Sequence, residues 1–267
     1  MFHKTMVRGL LAAALAASGV TGQAETITID MVPVGDPGNA AYSYGPFGAV
    51  SYTYQIGKYD ITAAQYAAFL NAVAATDQYG LYNFRMAITT SGLIGCGITQ
   101  SGTSGNYTYS VIAGREDFPV NYVSWGDAAP FANWLQNGQP SGPGTTEGPG
   151  TTETGAYTLN GAITDFALVA VNRNVGATYF IPSADEWFKA SYYKGGGTNA
   201  GYWAYPTTSD TAPSNVLSST GTNNANYYNG GYTDPTNLLT PVGAFAASPG
   251  RYGTFDMGGD VWQWEEQ

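Results

Sequence analysis

Cysteine and histidine are almost absent from this 267-residue chain. Cys96 is the only cysteine, so one chain can form neither an internal disulfide nor a site with two thiolate ligands. His3 is the only histidine, and it lies close to the N-terminus. These absences exclude His-ligated zinc or iron, as well as Ser-His-Asp and Cys-His catalysis, from the rest of the chain.

Charged residues are also scarce, at 10% of the sequence, and acids outnumber bases by 19 to 9. The formal net charge of -10 would repel a polyanion, because nucleic-acid binding requires clustered Lys and Arg. We therefore expect no nucleic-acid partner. An acidic balance suits solubility and cations that are bound by oxygen ligands.

Long apolar runs are missing except at the N-terminus. There Lys4 and Arg8 precede the small apolar run 9–20, and small residues follow up to Ala24. This pattern predicts a secretory signal peptide over residues 1–24 and a secreted or periplasmic protein. A membrane anchor is the alternative, but it would need roughly 20 strongly apolar residues. We expect no transmembrane segment in the rest of the chain.

Local patterns predict short strands, three helices and long loops. Alternating residues indicate strands at 26–29 and 51–56, and a possible hairpin lies at 107–112. Thr62 and Gln65 form a capping box before a helix over 63–75. Pro130 favours a second helix that begins at Asp127, where the proline costs no internal hydrogen bond.

The second half of the chain continues this pattern. Residues 178–182 are predicted to form a strand, and Ser183 with Glu186 caps a helix that extends to 193. A hexapeptide occurs twice in succession, at 142–147 and 148–153. It predicts a flexible Gly/Pro/Thr surface insertion over 136–156 with nothing to bury. The fold class is α+β, with one loop-rich domain over 25–267.

Four segments, in this order, resemble the sulfatase-modifying-factor domain, the fold of formylglycine-generating enzyme. Together they span roughly residues 50 to 267. They are Gly57-Lys-Tyr-Asp-Ile-Thr62, Pro119-Val-Asn-Tyr-Val-Ser-Trp125, Pro182-Ser-Ala-Asp-Glu186-Trp187 and the Trp-rich motif Tyr252-Gly-Thr-Phe-Asp256-Met-Gly-Gly259-Asp-Val261-Trp262-Gln263-Trp264. The resemblance implies a loop-rich variant of the C-type-lectin-like fold that is stabilised by structural calcium.

Two calcium sites are implied by the same resemblance. The first would use the side chains of Asn226 and Asp234 and the carbonyls of Tyr227 and Thr236. The second would use Asp256, Gly259, Val261 and Gln263, where Gln263 replaces a family Glu and lowers the negative charge. The alternative is that Asp234 and Asp256 are ordinary turn residues.

Catalysis in the family's characterised enzymes depends on two cysteines that bind Cu(I) and activate O2 to convert a substrate cysteine to formylglycine. In the family these cysteines follow the Trp-rich motif, and the present sequence ends at Gln267. The resemblance therefore predicts that the C-terminal part of the domain is missing, that a core segment would otherwise cover the indoles, and that the chain has neither catalytic residues nor copper. Cys96 matches neither family cysteine and is expected to be a buried or semi-exposed thiol.

Three functions follow from these patterns. The first is an exported, calcium-stabilised domain without oxidase activity, and the second is an active oxidase of exported sulfatases if the full-length chain supplies the cysteines. The third is a calcium-dependent module that binds a glycan or protein through the aromatic clusters 202–205 and 227–232. An acid-base hydrolase that uses Asp185 with Glu186, or Glu265 with Glu266, is disfavoured, because adjacent residues on a helix do not face one another.

Overall fold

The structure is a computed structural model that describes residues 26–90 and 94–266. The predicted signal peptide lies outside these residues. In chain order the elements are β1 (Met31–Val34), β2 (Tyr54–Gly57), α1 (Ala63–Val73), a 3-10 helix (Phe84–Ala87), β3 (Ile98–Ser101), β4 (Thr108–Val111), α2 (Trp125–Gln136), α3 (Asp165–Leu168) and α4 (Ala184–Tyr192). Within the described ranges, no helix has the length and apolarity needed to cross a membrane.

Helix α1 begins where the capping box predicts. The Thr62 hydroxyl accepts from Gln65 N, and the Gln65 side chain accepts from Thr62 N at 2.9 Å, so two otherwise unpaired donors of the first turn are satisfied. Tyr66, Phe69 and their neighbours on this helix are buried in the largest apolar cluster, together with Phe131 and Trp134 of α2. The predicted amphipathic helix is confirmed.

The strands form two separate antiparallel pairs. β1 pairs with β2 so that Met31 is opposite Gly57, and β3 pairs with β4 so that Ile98 is opposite Val111. The hairpin predicted at 107–112 thus contains β4, but its partner lies further upstream than the pattern suggested. Residues 26–29 are not a strand, because side chains hold their backbone: Gln139 bonds both N and O of Ile27.

Helix α2 begins at Trp125, so the prediction of a start at Asp127 is wrong. The Asp127 carboxylate reaches back and accepts from the backbone N and the hydroxyl of Ser124, each at 2.7 Å. Trp125 also packs edge-on against Tyr157. These interactions stabilise an earlier start, although Pro130 then lies inside the helix and removes one backbone donor.

Residues 178–182 do not form the predicted strand. Gln136 Oε1 accepts from the backbone of Thr178 and Tyr179, and the Tyr157 hydroxyl accepts from Ile181 N at 2.8 Å. Side chains therefore replace the strand partner that the pattern implied. Helix α4 follows with its predicted capping box of Ser183 and Glu186.

The predicted insertion 136–156, which contains the duplicated hexapeptide, does have groups to bury, so that part of the prediction is wrong. Thr152 and the two glutamates that end the repeats, Glu147 and Glu153, are buried. Glu147 accepts from the backbone of Gln78 and Tyr79, while Asn133 of α2 donates to Thr152 O at 2.7 Å. These hydrogen bonds fix the repeat against α2 and the loop that follows α1. The described chain is a small, mixed α/β single domain.

Candidate functional site

Asp234 caps its own turn in the structure. Its Oδ1 accepts from Thr236 N at 2.8 Å and from Asn237 N at 2.9 Å, and its Oδ2 accepts from the Asn237 side chain at 2.7 Å. Partial burial alone would raise the pKa of Asp234, but these hydrogen bonds and the charge of Arg115 hold the pKa below its usual value. The carboxylate is therefore ionised, and its turn is preorganised.

Asn226 joins this turn to the Trp-rich motif. Its Nδ2 donates to Leu238 O at 2.9 Å and to Asp260 Oδ1 at 3.0 Å. The next carbonyl, that of Tyr227, accepts from Asn215 at 3.2 Å. Asn226 therefore contacts the Asp234 turn through Leu238, while Thr236 is exposed on that turn.

The second predicted group of ligands surrounds Asp256. Its Oδ2 accepts from Gly243 N at 2.6 Å, and burial raises its pKa to about 6. Gln263 is already engaged, because its amide oxygen accepts from Trp187 and its Nε2 donates to Asp256 O at 3.1 Å and to Asp60 Oδ1 at 2.6 Å. In this arrangement Gln263 is a bridge between loops, and both polar atoms of its side chain take part in hydrogen bonds.

One member of the first predicted group of ligands, Asn226, lies against the second group. Asp260 N donates to Asn226 O at 2.9 Å, and a Cβ at Gly259 would lie only 2.1 Å from that oxygen, so the close approach requires glycine. A cavity of about 20 Å³ is lined by residues that include Asn226, Asp256, Gly259 and Asp260. The other predicted ligands do not line it: Tyr227, Asp234, Thr236, Val261 and Gln263. A space of this size holds one water or one small ion.

The hydroxyl of Thr254, which can both donate and accept a hydrogen bond, lines the same cavity. Thr254 Oγ1 is buried and has no hydrogen-bond partner among the described residues. The residues present thus fit a small oxygen-ligated cation in this cavity. Across 26–90 and 94–266, no cluster of three or more His, Cys, Asp or Glu side chains could hold a metal ion. Carbonyl, amide and hydroxyl oxygens would therefore have to supply much of the coordination.

Asp260 is a site residue that the sequence did not predict as a ligand. Its carboxylate accepts from Asn226 and from the hydroxyl and the backbone N of Thr240. Burial raises its pKa to about 7, and the nearby Asp256 charge adds to that rise. In the sequence, Asp260 is an acid that follows two glycines and precedes two tryptophans. Its burial, however, is visible only in the fold.

Cys96 does not fit copper. Its side chain is fully buried in the apolar cluster around α1, and its backbone N donates to Asn121 at 2.8 Å. Burial raises the pKa of the thiol, whereas a copper ligand must be a thiolate. The expectation of a buried thiol is confirmed.

A much larger apolar groove, about 570 Å³ in volume, opens beside the cavity. Its rim carries the indole of Trp262, which is fully exposed, and that of Trp264, which is half exposed. The charged residues that line it are all acids: Asp60, Glu186 and Asp260. Asp60 Oδ2 is buried without a partner in the described part of the chain. Burial is the main reason that the pKa of Asp60 lies well above its usual value, and the charges of Asp256 and Asp260 raise this pKa further.

The acids considered for hydrolysis have structural partners. Asp185 accepts from Gly48 N at 2.8 Å, and Glu186 pairs with Arg173 at 2.8 Å. Glu266 pairs with the same guanidinium at 2.6 Å, and its backbone N bonds Pro182 O. Burial raises the pKa of Glu265. None of the hydrogen bonds in the described part of the chain joins Glu265 to a second carboxylate.

The two aromatic clusters have different environments. Tyr202 packs against Tyr193 and Phe188, and its hydroxyl donates to Ala40 O, so this residue belongs to the packing of the fold. Tyr228 and Tyr232 instead lie exposed, with ring centroids 5.1 Å apart. Of the two clusters, the second contains the strongly exposed rings.

Comparisons with known proteins place the chain in a family. A solved structure, the crystal structure of CarF, aligns with a TM-score of 0.46 and 22% identity over 88% of this chain and 78% of that chain. The comparison with curated proteins gives no match. Residues 42–267 match the family model described as the sulfatase-modifying factor enzyme 1-like domain. The chain belongs to the sulfatase-modifying-factor family.

Proposed function

We propose that this chain is an exported, calcium-stabilised domain of the sulfatase-modifying-factor family that does not carry out copper-dependent oxidation. One observation carries the proposal: its single cysteine, Cys96, is enclosed in the core with a raised thiol pKa. One enclosed thiol cannot supply the pair of thiolates that Cu(I) needs. The only histidine is His3, so a histidine-ligated iron site is equally unsupported.

Calcium, export and the lectin-like variant of the fold are parts of this proposal. Calcium is supported by the cavity between Asn226 and Asp256 and by the buried Thr254 hydroxyl, which has no hydrogen-bond partner in the described part of the chain. When bound, the ion would neutralise buried carboxylates and tie the loop at 226–240 to the Trp-rich motif. Export is supported by the pattern of residues 1–24.

A calcium-dependent glycan- or protein-binding role is the second candidate. The exposed pair of Tyr228 and Tyr232 favours it, since two rings at this spacing present an amphipathic surface close to the proposed ion-binding loops. By family analogy the protein partner is an exported sulfatase, and an active oxidase remains the alternative if a longer chain supplies two cysteines.

The activity proposal is tested with the chain as it stands. It is incubated with Cu(I), O2 and a peptide that carries the sulfatase motif Cys-x-Pro-x-Arg, and formylglycine is measured by mass spectrometry. We expect no formylglycine above a control that contains copper without protein. Product above that control, which disappears in the Cys96→Ser variant, would refute the proposal.

A further inference from the structure

The sequence contains three Asn-Gly pairs, Asn137-Gly138, Asn160-Gly161 and Asn229-Gly230. In such a pair the backbone nitrogen of the glycine can attack the side-chain carbonyl carbon of the asparagine, because glycine has no side chain to block the approach. A succinimide ring forms and ammonia leaves. Water then opens the ring to aspartate or isoaspartate. The reaction consumes only water, so the structure around each pair decides where it proceeds.

Exposure does not separate the three pairs, because all three asparagines are exposed. They differ in the hydrogen bonds of the attacking glycine nitrogen and of the asparagine amide. A nitrogen that donates a hydrogen bond in the fold must give up that bond before it can lose its proton and attack. The hydrogen bonds of the three pairs therefore rank their reactivity.

The first pair is held at both reacting groups. Asn137 caps the C-terminus of α2, and Gly138 N donates to Leu135 O at 3.1 Å. Asn137 Nδ2 donates to Thr151 O at 3.2 Å and to Thr154 O at 2.7 Å. The attacking nitrogen and the amide that would leave are thus both engaged, and the pair is protected.

The second pair is held at its attacking nitrogen. Gly161 N donates to the buried side chain of Glu153 at 2.6 Å. Loss of the proton from this nitrogen would place a negative charge beside the carboxylate, and like charges disfavour each other. The turn is also closed by Ala162 N, which donates to Leu159 O at 3.0 Å. This pair is protected as well.

The third pair lacks both restraints. Among the hydrogen bonds of the described residues, none involves Gly230 N or the side chain of Asn229. The backbone N of Asn229 donates to Gly231 O at 3.0 Å, a bond that leaves the reacting groups unengaged. Tyr228, Asn229, Gly230 and Gly231 are all exposed. Here the glycine nitrogen can attack without breaking a hydrogen bond of the described fold.

The ends of this loop are anchored although its tip is exposed. Asn215 Nδ2 donates to Tyr227 O at 3.2 Å and to Gly231 O at 2.9 Å, and so joins both ends of the segment 227–231. Thr233 Oγ1 donates to Asn215 O at 2.9 Å and fixes the same base. A change at the tip therefore alters a defined surface.

We propose that Asn229 is a site of spontaneous deamidation, which converts the neutral tip of the loop 227–231 into an acidic one. Gly230 N bonds to Asn229 Cγ, and Nδ2 leaves as ammonia with the proton from Gly230 N. Water then cleaves one of the two bonds between the ring nitrogen and its carbonyl carbons. Cleavage at Cγ gives aspartate. Cleavage at the original backbone carbonyl gives isoaspartate, in which the main chain is longer by one methylene group.

The reaction would change the surface that the second candidate function uses. The new carboxylate lies beside the exposed rings of Tyr228 and Tyr232, so the aromatic pair gains a negative charge. The change is irreversible without a repair enzyme, because the ammonia is lost to solvent. This inference goes beyond the proposed function and depends on neither calcium nor the absence of oxidase activity.

Peptide mapping of the aged protein tests the proposal. The full chain is incubated in mildly alkaline buffer, folded or in concentrated urea, and is then digested at acidic pH and analysed by mass spectrometry. Isoaspartate is identified by electron-transfer fragmentation and by labelling with isoaspartyl methyltransferase. In the folded chain we expect Asn229 to deamidate at least about tenfold faster than Asn137 and Asn160, because hydrogen bonds hold their glycine nitrogens. In urea the three rates should converge.

Variants assign the acidic form that accumulates during ageing. Asn229→Gln should prevent this form on anion exchange, since glutamine would have to close a larger ring. Asn199→Gln, at another exposed asparagine, should accumulate it as the wild type does. Thermal unfolding before ageing checks that both variants fold.

Three results would overturn the proposal. They are survival of Asn229 in the folded chain, deamidation of Asn137 or Asn160 at the same rate as Asn229 or faster, and an acidic form that persists undiminished in Asn229→Gln. The tests for calcium and for oxidase activity are independent of all three.

Discussion

Arg173 shows how single residues tie distant segments together. Its guanidinium contacts Glu186 at the start of α4 and Glu266 near the end of the chain, and it stacks 3.5 Å from the centre of the Phe180 ring. Burial alone would lower the pKa of Arg173, but its two carboxylate partners outweigh that effect and raise the pKa above its usual value. Glu186 is almost fully enclosed, so the pair is protected from solvent screening.

Replacing Glu186 by glutamine leaves Arg173 with one carboxylate instead of two. We expect the free energy of unfolding at neutral pH to fall by about 1–3 kcal/mol, measured by urea unfolding, because a charged donor loses its buried acceptor. Glu116→Gln, at an exposed position whose side chain makes no hydrogen bond within residues 26–90 and 94–266, should change it little. A neutral result for Glu186→Gln would show that desolvation cancels the attraction.

The same variant has a predicted pH dependence. Burial alone would raise the pKa of Glu186, but hydrogen bonds from Arg173 and from the Ser183 backbone lower it below the usual 4.5. A carboxyl with a lowered folded pKa stabilises the fold fully above its unfolded pKa, and this contribution disappears as the pH falls through the folded value. The difference between wild type and Glu186→Gln should therefore shrink below about pH 4. A constant difference across that range would contradict the ion-pair assignment.

At the scale of elements, local signals were predictable and partners were not. The capping boxes at Thr62 and Ser183 were readable because both members lie within one turn. The predicted start of α2 was wrong because the prediction considered the helix hydrogen bond that Pro130 removes but not the hydrogen bonds that Ser124 donates to Asp127. Strands at 26–29 and 178–182 failed because their backbone partners are side chains distant in sequence.

The candidate site was also only partly predictable, because its motifs are local but the burial of its acids is not. The order of motifs identified Asn226 and Asp256, which do line one cavity. Asp260 and Asp60 were missed as site residues, since their significance comes from burial beside each other and beside Asp256. Burial is a property of the assembled fold, and a pattern of neighbours in sequence does not contain it.

Asn133 is the side chain by which α2 holds the duplicated segment. It is fully buried, donates to Thr152 O at 2.7 Å and accepts from Tyr157 N at 2.7 Å. Asn133→Ala leaves both partners buried and unpaired, which we expect to cost about 2–4 kcal/mol in urea unfolding. Limited proteolysis within 137–156 should also become faster. Asn172→Ala, which removes only a bond to the nearby Ala170, is the matched control, and equal proteolysis of the two variants would contradict this role.

The whole molecule combines a net charge of -10 with buried acids that face one another around the Trp-rich motif. Asp256 and Asp260 both have raised pKa values because burial disfavours their charged forms. A bound cation would lower this cost and fix the loops at the same time.

Calcium should therefore raise the melting temperature of the whole domain. A ligand bound only by the folded state stabilises it by RT ln(1 + [L]/Kd), about 2.7 kcal/mol at a hundredfold excess over Kd. Asp234→Ala and Asp256→Asn should each reduce the shift more than Gln263→Ala does, because each removes a carboxylate, whereas Gln263 is neutral and its amide oxygen accepts from Trp187. Asp210→Asn removes an exposed carboxylate elsewhere and should leave the shift intact. If the melting curves in EDTA and in millimolar calcium coincide, the domain does not use calcium, and the cavity between Asn226 and Asp256 holds water instead.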